Sequence, residues 1–265
     1  MSRRVRASGR ALVLARAPYG ESSLVVRVLT AEHGPQRLLA RGAHRAKSAF
    51  AWTLDLFDEL ELRWSTPQHG GLGNLEAGTV RIRRRRIPAD LERYRAALCG
   101  LELADLVARP GEDEGALFAG LGALLQALDA EGPLPAPAEG LLATFEARLL
   151  ADLGLMPALE GCAVCGGTAP ADQPSERGSG PRAPFSSGAG GRLCRSCALE
   201  ARNAGRRVGT LAERDLLALQ QAGSGQPPAD ADRAHKAHEI AARFLDYHLD
   251  TLPRTHQRFA SAPRP

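Results

Sequence analysis

The chain has 265 residues, of which 44% are hydrophobic, 24% are charged and 5% are aromatic. This content is enough for one large or two smaller packed domains, and it excludes a chain that is disordered throughout. The net charge is only +4, but residues 1–86 carry 16 Lys and Arg against 7 Asp and Glu, while the remainder carries 18 against 23. This division predicts a polyanion-binding first part, although a chance distribution of solvated arginines would give the same numbers.

Neither an export signal nor a membrane span is predicted. Arg3 and Arg4 resemble the start of a twin-arginine signal, but the apolar run at 11–15 is too short for a signal core or a bilayer span. We therefore expect a cytoplasmic, nucleoid-associated protein in a compartment where cysteines stay reduced.

Short β-type segments divided by turns fill the first 86 residues. Leu60, Leu62 and Trp64 alternate with charged residues, as in a half-buried strand. Five strands are predicted, at 11–16, 22–30, 36–42, 59–64 and 75–82. Because five short strands are too few for a sandwich, they predict a small closed barrel of the OB-fold type over residues 1–86.

Helical periodicity replaces this pattern from residue 87 onward. Helices are predicted at 91–109, at 116–130, around 141–150, after a capping box at Thr210–Glu213, and at 233–249. The predicted fold class is therefore α+β, with the barrel followed by an all-helical domain. That domain has a first part at 87–157 and a second part at 208–265, and residues 158–207 form an inserted zinc knuckle with a flexible loop.

Two Cys-x-x-Cys pairs predict the zinc knuckle. Cys162 and Cys165 are separated from Cys194 and Cys197 by the 28 residues of 166–193, a segment rich in Gly, Pro and Ser. Four thiolates satisfy a tetrahedral Zn²⁺ completely, so we expect one structural ion per chain that has no open position for hydrolytic chemistry. Disulfides, which need an oxidising compartment, free thiols and a redox dithiol are the alternatives.

No pattern in the sequence predicts catalysis. Residues 41–48 end in Lys-Ser like a phosphate-binding loop, but Arg and Ala replace the two glycines that such a loop requires. His238 begins a His-Glu pair, but Ala242 stands where a metalloprotease motif needs its second histidine. His235 and His238 are expected on a solvated helix face, and we expect no enzymatic activity.

Arginines around the third predicted strand are the candidate contacts for a nucleic acid. Arg37 and Arg41 are four residues apart and would share one face of an extended strand. The run 81–86 follows the last strand and would serve equally as a solvated junction. The predicted DNA-binding residues are Arg37, Arg41, Arg45, Lys47, Arg81 and Arg83. The candidate aromatic residues for base stacking are Tyr19, Phe50, Trp52 and Phe57. Because these aromatics are few, we expect backbone-driven, sequence-tolerant binding.

Several longer motifs resemble the RecO family of bacterial recombination mediators. The matching segments are PYGESS at 18–23, LTAEHG at 29–34, LARGAHRAKS at 39–48, LDLF at 54–57, LGLMP at 153–157 before the first cysteine pair, and LPRT at 252–255. They occur in the family's order across nearly the whole chain.

The resemblance implies an N-terminal OB-fold and a helical domain that carries a zinc knuckle. It also implies a protein that binds single-stranded DNA, anneals complementary strands and helps RecR load RecA onto DNA coated by single-strand-binding protein (SSB). The helical domain would contact the acidic, Phe-ended C-terminal tail of SSB. The residues alone leave two alternatives: an RNA-binding OB-fold and zinc-ribbon module in translation or transcription, and a scaffold whose basic face docks an acidic protein.

Overall fold

The computed structural model describes residues 4–45, 48, 50, 53–112, 114–172, 180–249, 253 and 255–256. They belong to two compact units, Met1–Pro133 and Leu134–Pro265. Within these described ranges, no helix is both long and apolar enough to cross a bilayer.

Five strands form a closed barrel in the first unit. They are β1 (Arg4–Tyr19), β2 (Ser23–Thr30), β3 (Gly34–Ala40), β4 (Glu59–Pro67) and β5 (Gly73–Ile82). The order β1-β2-β3-β5-β4 returns to β1, and every pair is antiparallel except β3 and β5. All five predicted strands are confirmed, but β1 starts at Arg4 rather than residue 11 because its exposed first half lacks apolar alternation.

The alternation in β4 places its apolar side chains inside the barrel. Leu60, Leu62 and Trp64 are each at most 1% exposed, as predicted. The barrel closes where Leu38 of β3 lies beside Gly73 of β5, and a Cβ added to Gly73 would lie 2.7 Å from the Leu38 Cδ2 atom. The parallel contact between β3 and β5 therefore needs a residue without a side chain at this position.

Two helices belong to the same unit as the barrel: α1 (Leu91–Val107) and α2 (Gly115–Leu128). The side chain of Asp90 accepts a hydrogen bond from the backbone N–H of Arg93 at 2.9 Å and so caps the start of α1. Arg27 of β2 forms an ion pair with Asp105 of α1 at 2.5 Å. This pair joins the outer surface of the barrel to the helix.

The second unit contains four helices and a small sheet within its described residues. The helices are α3 (Ala138–Asp152), α4 (Arg195–Asn203), α5 (Glu213–Gly223) and α6 (Ala231–Leu249). The strands are β6 (Arg182–Ser186), β7 (Gly191–Arg192) and β8 (Gly209–Ala212), in the order β7-β6-β8. β6 and β7 lie within the predicted insert at 158–207, but β8 lies in the part predicted to be all-helical, so the prediction was wrong for that segment. Strands of two to five residues are too short to show an alternating pattern.

The predicted capping box at the start of α5 was also wrong. Thr210 lies in β8, where its hydroxyl oxygen and its carbonyl oxygen accept hydrogen bonds from Arg182 at 3.1 and 2.8 Å. Helix α5 begins three residues later, at Glu213, without a side-chain cap.

The small sheet provides a stability prediction. Gly191 has φ of +135°, and a Cβ there would lie 2.5 Å from the Ala158 carbonyl oxygen, whereas a Cβ on Gly209 would meet its nearest atom at 4.0 Å. We expect Gly191→Ala to lower the free energy of unfolding by about 1–3 kcal/mol, and the matched control Gly209→Ala by about 0.5 kcal/mol or less. Thermal unfolding followed by circular dichroism measures both changes, and equal stability of the two variants would contradict this geometry.

Candidate nucleic-acid groove and candidate metal centre

A groove runs along the outer side of β3 in the first unit, with a volume of about 610 Å³. Tyr19 from the end of β1, Val25 from β2, Arg37 from β3 and Leu72 from the loop before β5 contribute to its lining. Tyr19 and Leu72 are 55% and 38% exposed, so both are accessible to a ligand in the groove. This β3 groove therefore offers an aromatic ring, an apolar side chain and a guanidinium group to one ligand.

Arg37, Arg41 and Arg45 are all exposed, and none of them forms an ion pair with a carboxylate of the described residues. Arg37 lies opposite Arg27 in the β2–β3 register, but it is Arg27 that pairs with Asp105. These three arginines therefore hold positive charge that the described carboxylates do not neutralise.

The predicted shared strand face of Arg37 and Arg41 was wrong, because β3 ends at Ala40. Arg41 instead begins a turn that is bound to the β1–β2 turn: the backbone N–H of His44 donates to the Ser22 carbonyl oxygen at 2.9 Å. The backbone N–H of Gly42 donates to the Ser23 hydroxyl oxygen at 3.2 Å. These bonds hold Arg41 close to the turn that follows Tyr19.

Arg81 and Arg83 differ from Arg37, Arg41 and Arg45 because both form ion pairs with described carboxylates. The Nε and Nη1 atoms of Arg81 lie 3.6 and 3.4 Å from oxygens of Glu59 and Glu61. The Nη1 atom of Arg83 lies 2.8 Å from Asp58 Oδ2. DNA contact by Arg81 and Arg83 stays a prediction, and Lys47 lies outside the described residues.

Arg84, which lies at the junction after β5, is buried inside the protein. Arg84 is 3% exposed, and its Nη1 atom donates to the Phe57 carbonyl oxygen at 2.6 Å. Its backbone N–H donates to Asp58 Oδ1 at 2.9 Å. Burial lowers the pKa of Arg84 and raises that of Asp58, because both groups lose water. These contacts give part of the arginine run a structural role at the junction.

Of the predicted stacking residues, Tyr19 alone is exposed among those that the structure describes. Phe50 is half-buried against the barrel core, and Trp52 lies outside the described ranges. Phe57 is 3% exposed and packs edge-on against Tyr94, with ring centroids 5.5 Å apart. It also precedes β4 rather than beginning a strand, and its φ is +74°. The prediction that Phe57 is available for stacking was therefore wrong.

The four predicted metal ligands lie together in the second unit. The Sγ atoms of Cys162, Cys165, Cys194 and Cys197 are all within 4.8 Å of one another, and those of Cys165 and Cys194 are 3.9 Å apart. None of the four thiols forms a disulfide in this structure. Tetrahedral thiolates at about 2.3 Å from Zn²⁺ would lie roughly 3.8 Å apart, so this donor set fits the ion.

Local backbone structure holds each cysteine pair in position. The N–H of Gly166 donates to the Cys162 carbonyl oxygen and the N–H of Cys162 donates to the Gly167 carbonyl oxygen, both at 2.9 Å. The second pair lies at the start of α4, for which Cys194 is the N-cap residue. A tight turn and a helix start thus direct the four thiols toward one point.

The thiols cannot all ionise easily without a cation. Burial opposes ionisation of Cys162, but backbone hydrogen bonds from Cys165 and Cys194 lower its pKa to about 6. The hydrogen bond from Ser196 lowers the pKa of Cys194. In contrast, the hydrogen bond with Cys194 and burial raise the pKa of Cys197 to about 12. Four thiolates this close together would repel one another, and a bound divalent cation would compensate their negative charge.

Comparisons with known proteins match both parts of this chain to the two parts of one protein family. The family model "Recombination protein O N terminal" matches residues 1–82, and "Recombination protein O C terminal" matches residues 88–258. The DNA repair protein RecO of Anaeromyxobacter dehalogenans strain 2CP-C is 36% identical over 250 residues, which cover 93% of this chain and 92% of that protein. That of Myxococcus xanthus is 34% identical over 244 residues, with 90% and 91% covered. The chain therefore belongs to the RecO family of DNA repair proteins.

Proposed function

We propose that this chain is a recombination mediator that binds single-stranded DNA in the β3 groove and anneals complementary strands. The observation that carries the proposal is that Arg37 and the exposed ring of Tyr19 line one groove, while Arg41 and Arg45 lie in a turn that is hydrogen-bonded to the β1–β2 turn. None of these three arginines is neutralised by a carboxylate of the described residues. Loops and strands at this position of an OB-fold barrel are the usual binding surface for oligonucleotides. Cations that follow the phosphates, together with a ring that stacks on a base, favour single strands of any sequence.

Annealing by this surface requires no bond chemistry. Two single strands repel each other through their phosphates, and arginines that neutralise one strand lower the electrostatic barrier to pairing with the next. Tyr19 would hold one base by stacking while the remaining bases stay free to pair. Lys47, Arg81 and Arg83 remain proposed contributors, but Arg81 and Arg83 would first have to leave their carboxylate partners.

A test of the groove compares two exposed arginines that have no ion pair within the described part of the chain. Arg37 lies in the β3 groove, whereas Arg63 lies on β4, opposite Ser8 of β1. We expect Arg37→Ala to weaken binding of a fluorescent single-stranded oligonucleotide about threefold to tenfold, because a phosphate contact is lost. The matched control Arg63→Ala should change the affinity less than about twofold, and equal losses for both variants would contradict the assignment of the groove.

The proposed activity is tested by strand annealing on DNA coated with the cognate SSB. Unmodified protein should accelerate pairing of coated complementary strands, and Arg37→Ala combined with Arg41→Ala should abolish most of that acceleration. Competition with RNA of the same sequence distinguishes the RNA-binding alternative. Preference for RNA, or no annealing by the unmodified protein, would contradict the proposed function.

We also propose partners, namely RecR, the C-terminal tail of SSB and, indirectly, RecA, on the ground of family membership. The second unit offers a cavity of about 460 Å³ for the tail. Phe185, Ile240 and Tyr247 supply apolar surface, and Arg207 supplies positive charge. Arg243 also lines the cavity, but it would first have to leave its ion pair with Glu239. This combination suits an acidic peptide that ends in an aromatic residue, because the guanidinium groups would pair with its carboxylates.

A peptide corresponding to the SSB tail tests this cavity. We expect Arg207→Glu to weaken binding of the labelled peptide at least about tenfold, since it replaces an attraction with a repulsion. Arg214→Glu is the control, because Arg214 is exposed in the same unit but does not line the cavity. Fluorescence anisotropy gives both affinities, and similar losses for the two variants would place the peptide elsewhere.

For the cysteine centre we propose one structural Zn²⁺ per chain, held by Cys162, Cys165, Cys194 and Cys197. The ion would supply only charge compensation and a cross-link between the 162–167 turn and α4, since four thiolates leave no position for substrate. Short strands around it gain stability from such a link.

Metal analysis of reduced protein should find about one zinc per chain. Cys197→Ser should lose most of the zinc and lower the unfolding temperature, while Cys99→Ala should retain the metal because Cys99 is buried in α1 of the other unit. Binding of single-stranded DNA should persist in Cys197→Ser, since the β3 groove belongs to the first unit. Zinc at background level in unmodified protein would contradict the proposed centre.

A further inference from the structure

A carboxylate and two imidazoles lie completely buried in the second unit, and none of the three belongs to the four-cysteine group or lines the peptide cavity. Glu146 comes from α3, His238 from α6 and His256 from a helical turn near the end of the described chain, and all three are 0% exposed. The expectation that His238 lies on a solvated helix face was therefore wrong. We refer to these three residues as the Glu146 cluster.

Hydrogen bonds within the Glu146 cluster all converge on the carboxylate. The Nδ1 atom of His238 lies 3.0 and 2.9 Å from the two Glu146 oxygens, and the Nε2 atom of His256 lies 2.6 Å from Oε1. Because an ionised carboxylate can only accept, each of these ring nitrogens carries the hydrogen that it donates. One carboxylate therefore links α6 and the C-terminal turn to α3.

The same three residues are possible metal ligands, but their geometry favours hydrogen bonding. Ligand atoms about 2.1 Å from a metal at right angles would lie roughly 3.0 Å apart, which is longer than the 2.6 Å between His256 and Glu146. The other ring nitrogen of His256, Nδ1, is buried and has no hydrogen-bond partner in the described ranges. A metal-bound histidine nearly always donates from that second nitrogen.

The charges of Glu146 and His238 depend on each other. Burial alone would raise the pKa of Glu146, but the adjacent His238 and His256 hold it below its usual value. Burial alone would lower the pKa of His238, but Glu146 raises it, with smaller contributions from Glu139 of α3 and Glu239 of α6. His238 in its charged form thus compensates a carboxylate that has no access to water.

We propose that the Glu146 cluster is a pH-dependent structural contact, in which the Glu146–His238 ion pair holds His256 and the turn that contains it in the second unit. When His238 loses its proton, the buried Glu146 carboxylate loses its compensating charge, and rehydration of that carboxylate becomes favourable. Helices α3 and α6 pack on each other and on α5, whereas the described residues 255 and 256 lie outside this helix packing. The turn is therefore the element that opens.

The direction of the pH effect follows from the two pKa shifts. Because the pKa of His238 is raised in the folded protein, its contribution is complete below its ordinary value and is lost as the pH rises through the folded value. Because the pKa of Glu146 is lowered, its contribution is present above its ordinary value and is lost as the pH falls through the folded value. The turn is thus held between these limits and released on the alkaline side.

Hydrogen exchange of the full-length protein, corrected for the intrinsic pH dependence of the exchange rate, tests the proposal. Protection of peptides that contain residues 255 and 256 should fall at least about tenfold as the pH rises past the His238 transition, while the α3 core stays protected. Protection that does not change with pH in the unmodified protein would overturn the proposal.

Two variants distinguish local release of the turn that contains His256 from a general loss of folding. Glu146→Gln should abolish the pH dependence of this protection, because no buried charge then drives the opening. His256→Ala, which removes the ring that donates to Glu146, should leave the turn poorly protected at every pH while retaining the unfolding temperature of the remaining protein to within a few degrees. Asp152→Asn is the control, because Asp152 of α3 forms an exposed ion pair with Arg148 at 3.8 Å. A turn that stays protected in His256→Ala, or a second equivalent of tightly bound metal that is lost in this variant, would overturn the proposal.

Discussion

An arginine that is already paired with a carboxylate gains little from a phosphate, because the phosphate must first displace that partner. This constraint separates arginines that look alike in the sequence. Arg81 and Arg83 are held by acidic residues of the barrel, whereas Arg37 and Arg41 face solvent without such partners among the described residues. The number of arginines therefore matters less to the proposed DNA path than which of them the fold leaves unneutralised.

Closure of the barrel connects this charge to a groove. The β3–β5 contact sets Leu38 beside Gly73, so that Leu72, which precedes Gly73, lies next to the strand that carries Arg37. The turn that carries Arg41 is bound to the β1–β2 turn, which follows Tyr19. Strand pairing thus gathers a ring, an apolar side chain and positive charge from four separate parts of the chain. In the other unit, the proposed zinc ion would link short strands and one helix start around a small apolar cluster that contains Leu193 and Ala198.

The sequence predicted those features that have a local signal. The alternation around Leu62 located β4, and the spacing of the cysteine pairs identified the thiols that the fold brings together. The short strands β6, β7 and β8 were missed because two to five residues carry no measurable periodicity. The prediction for Phe57 was wrong because this residue is buried and has a left-handed backbone conformation. No pattern in the sequence indicated that conformation.

Contacts between residues that are far apart in the sequence could not be predicted, for a different reason. The ion pair between Arg83 and Asp58 depends on the fold around the β4–β5 pairing, and a one-residue change in register would abolish such contacts. The Glu146 cluster joins residues that are 92 and 110 positions apart in the sequence. A histidine judged only within its own helix, as His238 was, gives no sign of a partner at that separation.

The salt dependence of single-stranded DNA binding by the unmodified protein tests the central claim most directly. Each neutralised phosphate of a single strand contributes about −0.7 to the slope of log affinity against log salt concentration, so three unpaired arginines predict a slope of roughly −2 or steeper. That slope should hold for oligonucleotides of unrelated sequence. An affinity that stays constant across the salt titration would contradict the account, because it would mean that the free guanidinium groups of the barrel do not contact the phosphates.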